Sequence, residues 1–448
     1  MRHLWLSAPL ALLLVGVTAS CGSKNPSQFG NGDGGAGSGD GGIFHLGGDS
    51  GLGGGGGDGG EAGAGGDSGP ACTGALCTQS MTDDCAGSSL PFTSISGTVY
   101  DPAGALPLYN VYVYIPSSTP LDIDPGNPAC TPCEAPASGG PIISALTDEH
   151  GNFNLVQTSA SGFGVPSGTN IPLVIQTGKW RKQITIATVP KCTATAIPDP
   201  ATPADKLRLP ANSTEGDMPV IAFTSGCDPA ECFLRHIGIS DSEFVPPTAP
   251  LPVAWKAGAT PVAGAGHVRF YTGRDEMAGG GGGMRGGMGG SASAITGGNT
   301  SADTYTWWTS SANLLENDIV FNACECSPYD RGAGAYQAMD AYLNGGGRLF
   351  TTHYYYNWFA PPTGTADLQS VAAWDTNAPL PGNVMTGTEA DTIDQTFPKG
   401  VAFATWLQDN TISTVMGSIT LGDVRDDVTS ILPADCEAAG TCLSTQWI

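Results

Sequence analysis

Hydrophobic positions change their rhythm along this chain. Between Ile95 and Ala187, short runs of β-branched and aromatic residues alternate with polar ones, at Ile95–Tyr100, Asn110–Ile115, Gly151–Val156, Ile171–Gln176 and Gln183–Ala187. A period of two sends alternate side chains to one face of a strand. Gly, Pro, Asp and Asn separate the runs, and short strands punctuated in this way predict a β-sandwich. Asp101-Pro102-Ala103-Gly104 and Asp148-Glu149-His150-Gly151 read as turns joining adjacent strands, and Phe153 and Leu155 point inward.

From about Pro219 the strands become continuously apolar and alternate with helical segments. Val220–Phe223, His267–Tyr271, Asp318–Asn322 and Arg348–Thr352 read as strands, Glu231–Gly238 and Ala335–Leu343 as helices. Gly238 and Gly345-Gly346-Gly347 stop those helices. Apolar strands separated by helices predict a doubly wound parallel sheet with right-handed crossovers. A glycine–methionine run near 278–300 reads as a low-complexity surface insertion, and 361–448 shows mixed patterning.

The predicted fold is therefore multidomain: a β-sandwich of the transthyretin-like or Ig-like kind over 95–210, then an α/β domain over 215–448. Ahead of them stand a leader (1–20), a Gly/Asp-rich tether (21–70) and a cysteine-rich neck (71–94) with Cys72, Cys77 and Cys85. The tether cannot bury apolar surface and reads as a flexible coil with a reach of roughly 40 Å. Its aspartates are followed by Gly or Ser, not by the apolar residue of calcium-binding nonapeptides, so calcium is not expected there.

Gly97, Val99, Asp101, Gly104, Pro107, Val111, Val113, Thr147-Asp148, Gly151, Phe153 and Leu155 make residues 95–190 resemble the carboxypeptidase regulatory-like domain. That resemblance implies a transthyretin-like sandwich, with a loop lengthened around Cys130-Thr131-Pro132-Cys133. Over 218–360, the succession strand, helix, Gly-Gly-Gly, strand, His353 resembles the class I glutamine amidotransferase-like fold and its trehalose-utilisation relatives.

At the N-terminus, Arg2 and His3 precede an apolar run from Leu4 to Val17, which Thr18-Ala19-Ser20 closes before Cys21. A charged start, a short apolar stretch and a small-residue exit read as a secretory leader, too short to span a bilayer. The cysteine directly after it resembles the lipobox of bacterial lipoproteins, which implies lipidation at Cys21, and Gly22 in place of Asp implies the outer membrane. Thr18 departs from the usual Leu. The chain has 13 cysteines, so lipidation of Cys21 leaves 12, an even number that suits disulfides in an oxidising compartment. Seventeen Lys+Arg against 41 Asp+Glu give a net charge of −24 and no basic cluster, which excludes nucleic acid and docking on anionic lipid by charge.

Chemistry is sparse in the motifs. P-loop, dinucleotide fingerprint, HExxH, GxSxG and the amidotransferase Gly-x-Cys-x-Gly elbow are all missing. Cys324, Glu325 and His353 are catalytic candidates, because each falls at the end of a predicted strand, where doubly wound sheets carry their sites. The competing expectation is two disulfides among Cys227, Cys232, Cys324 and Cys326, with pairing open, and a local bridge between Cys436 and Cys442. Zinc at the first four with His353 lacks any recognised spacing, so no metal or other cofactor is expected. His236 reads as a packed helix residue, and Asp228, Glu231 and Glu243 as solvated helix-end charges. The aromatic run Tyr354–Phe359 reads as core, with sugar stacking as the alternative.

Three functions follow in order. The first is an exported, lipid-anchored envelope protein that binds a polysaccharide or a surface protein without catalysis. The second is a hydrolase or amidotransferase-like enzyme, and the third a structural envelope scaffold.

Overall fold

The computed structural model describes residues 74–82, 85, 90–129, 137–157, 163–225, 230–272, 304–323, 329–360, 371–374, 388–422, 428–432 and 444–448. The leader, Cys21, the tether and the 278–300 insertion lie outside them. So do Cys227, Cys324, Glu325, Cys326, Cys436 and Cys442.

Helix α1 (Ala75–Thr82) forms part of the neck, and Leu76 and Cys77 on it pack against the first hydrophobic core. The sandwich follows as β1 (Ser94–Thr98), β2 (Tyr112–Pro116), β3 (Pro141–Leu146), β4 (Asn152–Val156), β5 (Gly168–Thr177), β6 (Trp180–Val189) and β7 (Ala194–Ala196). One sheet runs β4-β1-β7 and the other β3-β2-β5-β6. The period-two pattern does its work here: Phe153 and Leu155 on β4 are buried, while Asn152 and Asn154 face out. They meet Ile95, Val99, Val111, Val113, Ile171, Leu173 and Ile175 in one core. Each fully buried side chain of this kind contributes about 1.5–3 kcal/mol.

Both turn motifs behave as their residues dictate. Asp101 Oδ1 accepts from the N–H groups of Ala105 and Leu106 at 2.8 and 3.1 Å. Asp148 Oδ1 accepts from those of His150 and Asn152 at 3.0 and 2.7 Å. Strands β3 and β7 escaped the sequence reading. The first has no polar alternation to mark it, and the second is a three-residue edge that pairs only through parallel contact with β1.

The second layer is built from β8 (Ile221–Ser225), α2 (Ala230–His236), β9 (Phe244–Val245), β10 (Val268–Thr272), α3 (Thr304–Trp307), α4 (Ser311–Leu314), β11 (Ile319–Asn322), α5 (Ala333–Asn344) and β12 (Arg348–Thr351). The five strands form one parallel sheet in the order β12-β11-β8-β10-β9. One face carries Ile221, Phe223, Val268, Phe270 and Phe321 against Leu234 and Ile239 from the α2 region. On the other, Ala222, Tyr271 and Val320 pack under Trp307, Trp308 and Leu314, and under Ala335, Tyr336, Met339 and Tyr342 of α5. Helix α5 ends where Gly347 must approach Tyr342 closely: a Cβ there would lie 2.2 Å from its ring.

The remaining described segments make two small antiparallel ladders, β13 (Ala372–Trp374) with β16 (Val428–Ile431) and β14 (Thr388–Thr392) with β15 (Ser418–Gly422), plus α6 (Pro398–Asp409). Helix α6 rests on the sandwich, with Trp406 Nε1 donating to Pro107 O at 2.7 Å and Asp409 Oδ2 lying 2.8 Å from His150 Nδ1. Among the described residues, no helix is long and apolar enough to cross a membrane.

The two main layers are arranged along an axis. At one pole, Cys85 is disulfide-bonded to Cys192, and Cys192 N–H donates to Thr93 Oγ1 beside the start of β1. At the opposite pole of the sandwich lie the β5–β6 turn, Gly178-Lys179, and the Asp101–Gly104 turn. These two turns meet the amino ends of the parallel strands and the end of α2, where Ala103 N–H donates to Ile237 O at 2.9 Å.

Candidate functional site

Parallel pairing puts Thr224 of β8 beside Asn322 of β11 at the carboxyl edge of the sheet. The chain runs from β8 to β9 on one side and from β11 to β12 on the other, so its path diverges here. Such a divergence opens the crevice in which doubly wound sheets hold ligands. The connections 226–229 and 324–328, with Cys227, Cys324, Glu325 and Cys326, lie outside the described residues. His353 opens the 3-10 turn His353–Trp358 that directly follows β12, so the backbone places it at this same edge.

The described part of the edge is filled by the chain itself. Thr224 Oγ1 donates to Asn322 Oδ1 at 3.0 Å and lies 3.3 Å from the Tyr355 hydroxyl. Arg331 sits among aromatic rings, its guanidinium carbon 4.4 Å from the Tyr355 centroid, 4.7 Å from Trp358 and 5.1 Å from Trp308. It donates to Tyr329 O at 3.2 Å and to Asn357 Oδ1. Asn357 in turn donates through Nδ2 to Tyr329 O. Thr224, Asn322, Tyr355, Asn357, Trp308 and Trp358 are all buried to within 1% of full occlusion. The ring faces offer the cation an electrostatic partner worth about 0.5–2 kcal/mol each. Among the described residues this is a packed cluster without a nucleophile beside a base. The 354–359 aromatics, read from sequence as core, are indeed core at Tyr355 and Trp358.

Three side chains differ from expectation. Cys232 is an exposed free thiol, not half of a disulfide. The phase of α2 turns Leu234 to the sheet, which leaves Cys232 and Phe233 outward. For the same reason His236 is exposed and not packed. Glu243, in contrast, is buried and not solvated. Its Oε2 accepts from His267 Nδ1 at 2.6 Å and from His267 N–H at 3.1 Å, and its Oε1 accepts from Ser213 N–H at 2.7 Å. Burial alone would raise the Glu243 pKa, but His267 and Ser213 outweigh it, and the carboxyl sits below its ordinary value. His267 precedes β10, so this pair lies at the amino edge, away from the crevice. No sequence signal marks it, because the two residues are 24 apart and their flanks carry no shared motif.

Glu243 and His267 close the neck of an irregular loop, 246–266, pinned by Trp255 N–H to Asp217 Oδ1 at 3.1 Å. A cavity of about 30 Å³ lies beside it, lined by Ser213, Pro252, Trp255, Pro261 and Val262. That is room for a water or two, far short of a sugar ring. Among the described residues, no group of three or more His, Cys, Asp or Glu could hold a metal ion.

No protein-family model matches the chain, and no match was found among curated proteins or solved structures either.

Proposed function

We propose that the protein is an exported, lipid-anchored envelope protein, sited at the outer membrane, with a non-catalytic binding role toward a polysaccharide or another surface protein. The observation that carries the non-catalytic part is the packed carboxyl edge. Thr224 bonds to both Asn322 and Tyr355, and Arg331 donates to Tyr329 and Asn357 inside an aromatic box. A reacting group would have to displace side chains that are already packed and buried against one another. Lipid anchoring is supported by the Thr18-Ala19-Ser20-Cys21 layout. Within this reading the sandwich is a carboxypeptidase regulatory-like domain and the parallel sheet an amidotransferase-like layer that has lost the nucleophile elbow.

Radiolabelled palmitate fed to expressing bacteria tests the anchor: label is expected on the wild type and not on Cys21→Ser. A glycan array probed with the chain from Gly22 onward tests the sugar version of the binding role, and a blank array would leave the surface-protein version. The enzymatic alternative draws on the position of His353 at the end of β12. If a hydrolytic or amidotransferase activity were found and were lost in both Cys324→Ser and His353→Ala, the non-catalytic reading would be wrong. Should the array and a partner pull-down both come back empty, the scaffold reading takes its place.

A further inference from the structure

The sandwich and the parallel sheet meet over a buried carboxylate, Asp318, which immediately precedes β11 and is 2% exposed. Asp318 Oδ2 accepts from Val220 N–H of its own layer at 2.8 Å and from Gly126 N–H of the sandwich at 2.9 Å. Its Oδ1 lies 2.6 Å from Lys179 Nζ. Lys179 sits in the β5–β6 turn and also donates to Asp124 O at 2.8 Å and Gly126 O at 2.6 Å. Residues 124–127 belong to the long excursion between β2 and β3, and Asn127 N–H donates onward to Leu315 O at 2.8 Å. Gly126 has φ +70°, and a Cβ there would meet Glu316 O at 2.4 Å, so only glycine fits between the two layers.

Further contacts reinforce this joint. Trp180 packs against the cores of both layers. Arg181 and Asp217 are paired at 2.9 Å, each nearly enclosed. Gly238 passes so close to Ala103 that a Cβ would fall 2.1 Å from its nitrogen. A flexible inter-domain joint is polar and wet, whereas this one is threaded by a buried charge that accepts from both sides.

We infer that segment 124–127, between β2 and β3, is a strap that locks the sandwich to the amino edge of the parallel sheet, with Asp318 as its anchor, so that both layers form one strut. The Cys85–Cys192 pole and the carboxyl edge of the sheet are then the two ends of that strut. In the lipid-anchored reading, on which this last step rests, the tether leaves at the disulfide pole and the carboxyl edge is held away from the membrane. The lock itself does not depend on that reading.

Calorimetry and amide hydrogen exchange on the chain from Gly22 onward test the lock. The wild type is expected to unfold both layers in one transition. Asp318→Asn replaces a charged acceptor by a neutral one, roughly half as strong. Exchange at Gly126 and Val220 should then quicken by about tenfold or more, with Leu173 and Ile175 in the sandwich core unchanged. Lys179→Met leaves both backbone bonds to Asp318 in place and should give a smaller change at the same amides, which guards against Asp318→Asn failing to fold. Two separate transitions in the wild type, or unaltered exchange at Gly126 in both variants, would overturn the inference. Neither result bears on palmitate labelling, so the lock and the anchor fail independently.

Discussion

At the scale of single residues, what decides behaviour is whether a polar group keeps its partners once water is gone. Glu243 is the sharpest case: a carboxylate at 1% exposure that accepts three N–H bonds. Its pKa is held below the ordinary value of 4.5. A carboxyl depressed in the folded state stabilises the fold above its unfolded pKa, and that contribution fades as pH falls through the folded value. Glu243→Gln should therefore cost about 1.5–3 kcal/mol at pH 7. The gap between variant and wild type should narrow in denaturant titrations taken below pH 4.5, and a gap that stays constant with pH would refute this account. Trp358 makes the apolar counterpart. Truncating it to Ala opens a void beneath Arg331 and should cost about 3–5 kcal/mol by the same titration.

Elements show where tertiary contact overrode local pattern. Helix α2 was legible from Glu231 to Gly238, yet seven residues cannot reveal which side will face the sheet. Leu234 won that contest, and Cys232 and His236 were left outside. The aromatic run after β12 folded into a 3-10 turn that inserts Tyr355 and Trp358 into the core. In the neck, local pattern carried no helix signal for α1, since its apolar residues follow no helical stripe. The neck is held by chemistry: Cys77 is disulfide-bonded, and Cys85 joins Cys192 across a separation of 107 residues. Closing a loop of that length restricts the unfolded chain by about 4–5 kcal/mol. Cys85→Ser with Cys192→Ser should lower the melting temperature of the chain clearly, while the same pair of changes should leave exchange at the Asp318 joint unaltered at temperatures below melting.

For the whole molecule, charge and axis dominate. A net charge of −24 keeps copies apart in neutral solution and gives no purchase on phosphate backbones. Solubility should pass through a minimum near pH 4.3, where that charge is neutralised, and the chain should flow through a nucleic-acid column at low salt. Retention on such a column would contradict the electrostatic argument. The axis comes from the way the sandwich meets the amino edge of the parallel sheet, which leaves the carboxyl edge on the side away from the sandwich.

The order of the layers was written in the sequence. Period-two alternation with Asp/Gly turns marks the sandwich, and continuous apolar runs such as Ile319–Asn322 mark the buried parallel strands, because a strand covered on both faces has no polar side to show. The end of β11 at Asn322 was legible too, whereas β8 runs on past the Phe223 at which its pattern stops, to Ser225. Distance in sequence hid everything that joins distant segments. Gly126 and Asp318 are 192 residues apart, and neither carries a motif. Whether Asp318 is a solvated strand-end charge or the buried anchor of a strap depends on which surface comes to rest against it. Local propensity fixed the parts; the desolvation of a few charges between them decided how the parts are held.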